Sequence, residues 1–314
     1  MLQLPETYLD QKWQNYLNKW QQEINTGVAD FEYELYLLEL YKLLNSNYFR
    51  LLSFYFHALI KKHFNALPSY SEKVTQAKIK YESRTGTETF KNIRATLERM
   101  CSGNRRCCYC EDFLADEVEH ICPKSLYPEL VFVWENYLYS CGPCNSKKSN
   151  NYAVIVGNEI QDITRKKNDP IVPPPTGKGV FINPRIENPL DFLELDLGND
   201  LDGTFSFQPR YHLLKDGIDY QRAKYRIKIL GLGLDDDDRE DIREGRRQAG
   251  LNYRSRLKEY QQNKDGLIDS QKQQFIKDFK KMSYPTVWQE MKNQYKKLPS
   301  IYSLIEELPE ILDW

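Results

Sequence analysis

The chain has almost no net charge. Its 314 residues carry 44 Lys and Arg against 45 Asp and Glu, a formal charge of −1. That excludes a globally basic nucleic-acid binder, so any surface that meets phosphate must be local. Long apolar runs are also missing. The most apolar stretch, Leu51 to Ile60, is ten residues long and lies between Arg50 and Lys61. It is too short to span a bilayer. The opening MLQLPETYLDQKWQN lacks a basic segment followed by an apolar one, the pattern of a secretory leader. Histidine is scarce, at four residues, and the seven cysteines are an odd number. An odd count in a long chain argues against a disulfide framework. Together these absences predict a cytoplasmic protein with no membrane partner. Internal repeats and low-complexity tails are absent from the sequence too.

What is present is aromatic bulk and helical periodicity. The apolar fraction of 40% is low, but 14 Phe, 22 Tyr and 5 Trp supply material for a core. Leu9, Trp13, Tyr16, Leu17, Trp20 and Ile24 recur mostly at three- and four-residue steps, one face of an amphipathic helix. Residues 31–66 predict a well-buried helix or helix pair, ended by Pro68 and Ser69. A third helix is predicted over 88–100, with Phe90, Ile93 and Leu97 on one face and Thr87 as N-cap. Val118 to Ile121 and Tyr137 to Tyr139 are short and β-prone, and a helix is expected after Asn145. A Pro/Gly-rich connector runs from Pro170 to Pro189. Phe181-Ile182 and Phe192 to Leu197 read as strands, the latter leading into a hairpin around Gly203. Helical patterns return at 219–231, 236–263 and 269–297. The expected fold class is mainly α with a small α+β insert, divided as 1–98, 99–208 and 209–314.

The insert holds the densest chemistry. Two C-x-x-C pairs, Cys107/Cys110 and Cys141/Cys144, stand thirty residues apart. Zinc favours four soft ligands in a tetrahedron, and two such knuckles supply two each. The separation exceeds that of an ordinary zinc ribbon, as it would if a functional hairpin were inserted between the knuckles. The competing reading is buried free thiols or a redox pair. Cys108 competes with Cys107 for the ligand role, though the spacing favours Cys107. Cys101 and Cys122 read as core thiols. Four cysteines close a structural site and leave no open position for substrate.

Between the knuckles lies Glu119-His120, and Asn145 follows the last cysteine directly. Phosphodiester hydrolysis needs an activated water and stabilisation of charge on the phosphorus and the leaving oxygen. Mg²⁺ and Mn²⁺ take hard oxygen ligands, and Glu119 with the Asn145 side-chain carbonyl suits them. His120 is the natural general base because its pKa lies near working pH. His57, His63 and His212 have no neighbouring ligand set and read as structural or exposed.

Glu-His-Ile-Cys-Pro-Lys-Ser, then Trp-Glu-Asn-Tyr-Leu, then Cys-Gly-Pro-Cys-Asn-Ser-Lys-Lys resembles the HNH endonuclease family over about forty-five residues. The resemblance implies a ββα-metal core, a β-hairpin and a helix around one divalent ion. It implies His120 as general base, Glu119 and Asn145 at the catalytic metal, and Asn136 as the residue that braces the hairpin. The family more often has Asp at the position of Glu119. Lys147 and Lys148, and more weakly Lys124, are candidate phosphate contacts. A narrower resemblance adds the later segments I-N-P-R and Arg222 to Leu232. The chain is similar to PtuB-like effectors of Septu and of some retrons, which implies antiviral defence and a PtuA-like ABC/SMC-type ATPase as partner. The first ninety and last sixty residues lie outside it.

Elsewhere, Arg243, Arg246, Arg247, Arg254, Arg256 and Lys258 form a basic helix. It is either a backbone-tracking surface or a solvated face with internal Glu–Arg pairs. Arg165-Lys166-Lys167 is a second basic candidate. Asp235 to Asp238 fit helix capping better than a second metal. Residues 301–314 either dock a partner or close the protein's own core. Two functions follow. One is a metal-dependent HNH nuclease acting on nucleic acid, DNA favoured over RNA, with structural zinc. The other is a zinc-knuckle adaptor whose HNH centre is silent.

Overall fold

The computed structural model describes residues 10–26, 68–102, 105–236 and 239–314. The helical block expected at 31–66, with His57 and His63, lies outside them, as do Gly103, Asn104, Asp237 and Asp238.

The first helix, α1 (Gln11–Thr26), buries Leu17, Trp20 and Ile24 of the apolar stripe read from the sequence, with Trp13 half-buried, Tyr16 exposed and Leu9 outside the described residues. α2 (Tyr70–Arg84) follows directly on Ser69. The block at 31–66 that Ser69 is expected to end lies outside the described residues; here Ser69 begins a helix. Its hydroxyl accepts from the Glu72 N–H, and the Glu72 carboxylate accepts from the Ser69 N–H, a reciprocal capping box. α3 (Glu88–Met100) starts at Thr87, whose hydroxyl accepts from the Phe90 N–H. Its Phe90, Ile93 and Leu97 are buried.

Strand β1 (Glu117–His120) pairs antiparallel with β2 (Tyr137–Ser140), His120 opposite Tyr137 and Glu119 opposite Leu138. Alternating side chains of a strand point to opposite faces, and β2 is buried on both. Tyr137 and Tyr139 join a core formed with α1, α2 and α3, while Leu138 joins a second core with the zinc-type cysteines. The hairpin is the partition between two cores. A short helix, α4 (Gly142–Lys148), begins at the second knuckle and ends at Lys148. It starts four residues earlier than expected because Pro143 is accommodated in a first turn.

Three small elements follow. β3 (Ala153–Val156), β4 (Glu159–Asp162) and β5 (Lys178–Gly179) form one sheet. Phe181 and Ile182 are buried but not in a strand. β6 (Leu193–Leu195) and β7 (Phe207–Pro209) make the expected hairpin around Gly203.

The remainder is helical: α5 (Ile218–Leu230), α6 (Glu240–Asn263), α7 (Asp269–Phe279), α8 (Pro285–Gln294) and α9 (Pro299–Glu307). The block expected at 269–297 is two helices, broken where Tyr284 takes a left-handed backbone ahead of Pro285. The last residues close the protein's own core. Ile301, Leu304, Ile305, Leu308 and Ile311 are buried, and the Trp314 ring sits edge-on to Tyr260 and Phe279. One buried cluster runs from Cys107 to Ile311, so the knuckles and the C-terminal helices share a core. Among the described residues, no helix is long and apolar enough to cross a membrane.

Candidate functional site

The four knuckle cysteines converge. Cys107 and Cys110 lie in a turn ahead of β1, while Cys141 caps α4 and Cys144 lies in its first turn. Their Sγ atoms all fall within 4.8 Å of one another, and all four residues are buried. The Cys110 and Cys141 sulfurs are 3.9 Å apart. A tetrahedron with Zn–S near 2.3 Å has an edge of about 3.8 Å. Number, softness and spacing of donors thus fit a closed zinc site. The ambiguity over Cys108 is resolved by direction: its sulfur faces Cys101 at 3.9 Å, away from the cluster. Cys122 meets the Tyr152 hydroxyl at 3.2 Å.

Beside the cluster, β1 and α4 bring Glu119, His120 and Asn145 to one open cleft of ≈ 290 Å³, with Lys124, Ser146 and Ser149 on its walls. His120 is buried between the rings of Tyr81 and Tyr137, both edge-on, at centroid distances of 4.8 and 5.1 Å. Its Nε2 lies 2.9 Å from the Val131 carbonyl. A carbonyl only accepts, so Nε2 carries the hydrogen and Nδ1 keeps a lone pair. Burial holds the imidazole well below its ordinary pKa, and the nearby Lys124 and Lys148 charges push the same way. His120 is therefore neutral, as a base must be.

Glu119 is buried, and Lys148 is wholly so. The Lys148 Nζ lies 2.5 Å from the Glu119 Oε1 and donates to the His120 carbonyl at 2.8 Å. Burial raises the Glu119 pKa, and Lys148 opposes that shift. The expected exposure of Lys148 toward phosphate is thus not what the structure has. Its side chain turns inward because a carboxylate at that depth needs a counter-charge. Lys147 reaches Asp236 at 3.0 Å, so its charge is engaged as well. Lys124 remains at the cleft, its ammonium 4.3 Å above the Tyr81 ring centre.

Asn136 lines no wall of the cleft. Its Oδ1 accepts from the Cys122 N–H at 2.7 Å, and its Nδ2 donates to the carbonyls of Cys122 and Leu130 at 3.1 and 3.0 Å. It ties both ends of the loop that follows His120. Asn145 Nδ2 donates to Glu117 Oε2, leaving the Asn145 Oδ1 as its acceptor atom. Sequence reasoning missed Glu117. The signal was there: two residues before Glu119 on one strand means the same face, toward α4. The Glu119 carboxylate and the Asn145 Oδ1 are oxygens at this cleft of the hard type.

No protein-family model matches the chain, and no solved structure does. A stretch of 147 residues is 33% identical to the Septu protein PtuB of Bacillus thuringiensis, covering 44% of this chain and 48% of that protein. The chain thus spans about half the length of that curated relative, and is related to a Septu component over that half.

Proposed function

We propose that this chain is a Septu-type antiphage effector: an HNH-type nuclease with structural zinc and a catalytic Mg²⁺ or Mn²⁺, working beside a PtuA-like ABC/SMC-type ATPase. The observation that carries the reading is the convergence of Glu119, His120 and Asn145 on one cleft braced by a four-thiol cluster. The similarity to PtuB supports the defence role and the partner.

Each residue has a part that follows from its surroundings. His120, neutral and fixed by Val131, takes a proton at Nδ1 from the attacking water. Tyr81 and Tyr137 hold the ring plane. Glu119 and Asn145 would hold the divalent ion, with Glu117 orienting the Asn145 amide. That ion supplies charge stabilisation for the phosphorus and the leaving oxygen. Asn136 keeps the His120 loop in place, and Lys124 is the cation left at the cleft for a phosphate. The substrate is nucleic acid, DNA ahead of RNA.

The test compares wild type with His120→Ala on plasmid, single-stranded DNA and RNA, with and without a PtuA-like ATPase. Cleavage with Mg²⁺ or Mn²⁺ should be lost in His120→Ala, by about 10²-fold or more, while the variant stays folded. Equal cutting by His120→Ala sinks the mechanism. A second reading, a zinc-knuckle adaptor with a silent centre, draws on the Lys148 ammonium already seated on Glu119. It predicts no metal-stimulated hydrolysis by wild type on any of these substrates, partner included.

A further inference from the structure

Three arginines of the C-terminal helices are buried around the cysteine cluster. Arg239, at the start of α6, is 4% exposed, and its Nη2 donates to the Cys144 Sγ at 3.6 Å. Its Nη1 is buried without a hydrogen-bond partner. Arg246, two turns on, is 3% exposed. It donates to the Phe205 carbonyl at 3.1 Å and lies 4.7 Å above the Phe207 ring. Burial lowers its pKa, with Cys110 and the Glu111 carboxylate opposing that shift, and its Nη2 too is buried without a partner. Among the described residues, neither Arg239 nor Arg246 forms a salt bridge. Arg226 of α5 is fully buried and lies 5.5 Å above the ring of Tyr109, inside the first knuckle.

A buried guanidinium without a carboxylate is costly unless some other negative group compensates it. Four neutral thiols do not supply that charge. Four thiolates around one Zn²⁺ do, since they form a doubly negative centre. We propose that Arg239 is part of the metal site: it is a counter-charge of a zinc–tetrathiolate dianion, and through it zinc docks the start of α6 onto the knuckles. The inference rests on reading the cluster as a zinc site. It adds that the metal also organises a helix about a hundred residues downstream of its ligands. Arg239 is a positioning residue here; it touches a ligand sulfur and never the substrate.

The test begins with zinc content of the purified full-length protein and the rate of zinc transfer to a chromophoric chelator. Wild type should hold one zinc. Arg239→Gln should lose it about 10- to 100-fold more readily, as expected for outer partners of metal ligands, and Arg239→Lys should recover part of the loss. Co²⁺ substitution should give thiolate-to-metal charge-transfer bands that shift in Arg239→Gln. Unchanged zinc retention and an unchanged Co²⁺ spectrum in Arg239→Gln overturn the inference while leaving the zinc site intact. A wild type that takes up neither Zn²⁺ nor Co²⁺ overturns the site reading itself, and the inference with it. A measurement free of variants guards against misfolding. On chelating wild-type protein, amide hydrogen exchange over 239–250 should rise ahead of that in α9. Retained protection over 239–250 after zinc removal also overturns the proposal.

Discussion

At the scale of single residues, the site is a set of buried polar groups that compensate one another. Lys148 is the test case. With its ammonium on Glu119 and the neighbouring His120 ring neutral, it is the cation that lets a carboxylate sit at this depth. Removing one partner of a buried pair strands the other, at a cost of about 3–5 kcal/mol. Lys148→Met is therefore expected to lower stability by that order in divalent-free buffer, read from urea unfolding. If Glu119 binds the catalytic metal, added Mg²⁺ or Mn²⁺ should restore part of the loss, because a ligand of the native state alone stabilises it. Wild type should gain less, since there the incoming ion must compete with the ammonium. No metal rescue of Lys148→Met would remove Glu119 from the ligand set. The sequence showed Glu119 and Lys148 as neighbours of the motif but not as partners. They are 29 positions apart, and only the hairpin-to-helix packing brings them together.

At the scale of elements, what could be read from the sequence depended on how local the cause was. α1 and α3 were legible because a periodic apolar stripe and a Thr N-cap are written in consecutive residues. The four cysteines were legible because two-residue spacing is itself the ligand geometry. α2 was missed although Ser69 and Glu72 spell a capping box, since Pro68 draws the eye to an ending. The strand expected at Phe181-Ile182 failed because burial alone makes residues apolar, whether or not they pair in a sheet. The β3–β4 hairpin carried its signal in Gly157, whose φ of 62° suits a tight turn, yet its strands are too short to stand out. α2 matters to the site because it delivers Tyr81 to the face of His120 and Tyr70 to the Leu126 carbonyl. Ser69→Ala removes one half of the box and should cost about 1 kcal/mol. Hydrogen exchange is expected to localise the loss to the first turn of α2. A change spread evenly over the core would mean that the cap is not what holds this end.

At the scale of the whole molecule, the near-zero charge of −1 has to be reconciled with the proposed nucleic-acid substrate. The basic stretch of α6 does not supply the answer. Arg247 pairs with Glu244 at 2.7 Å, Arg256 with Glu259, and Arg254 with Asp200 at 3.6 Å. Arg243 donates to the carbonyls of Gly233 and Asp236, and Arg246 is buried. Arg165 is likewise turned inward, onto the carbonyls of Ser125 and Val172. Arg247, Arg254 and Arg256 are paired with carboxylates, Arg243 and Arg165 are engaged by carbonyls, and Lys258 stays exposed, so α6 would release few counterions on binding DNA. The salt dependence of binding counts such contacts, at roughly one unit of log–log slope per phosphate neutralised. Duplex binding measured in a His120→Ala background, to prevent cutting, should show a shallow slope. Lys124→Ala is expected to lower it by about one, because its ammonium stands at the cleft. Arg247→Ala and Arg256→Ala should leave it unchanged, since each removes a charge already engaged by a neighbouring glutamate. A slope that falls equally in Arg256→Ala would place DNA along α6 and not at the cleft. A shallow slope would mean that the chain alone holds nucleic acid weakly, as expected if the proposed ATPase partner supplies the tighter contact.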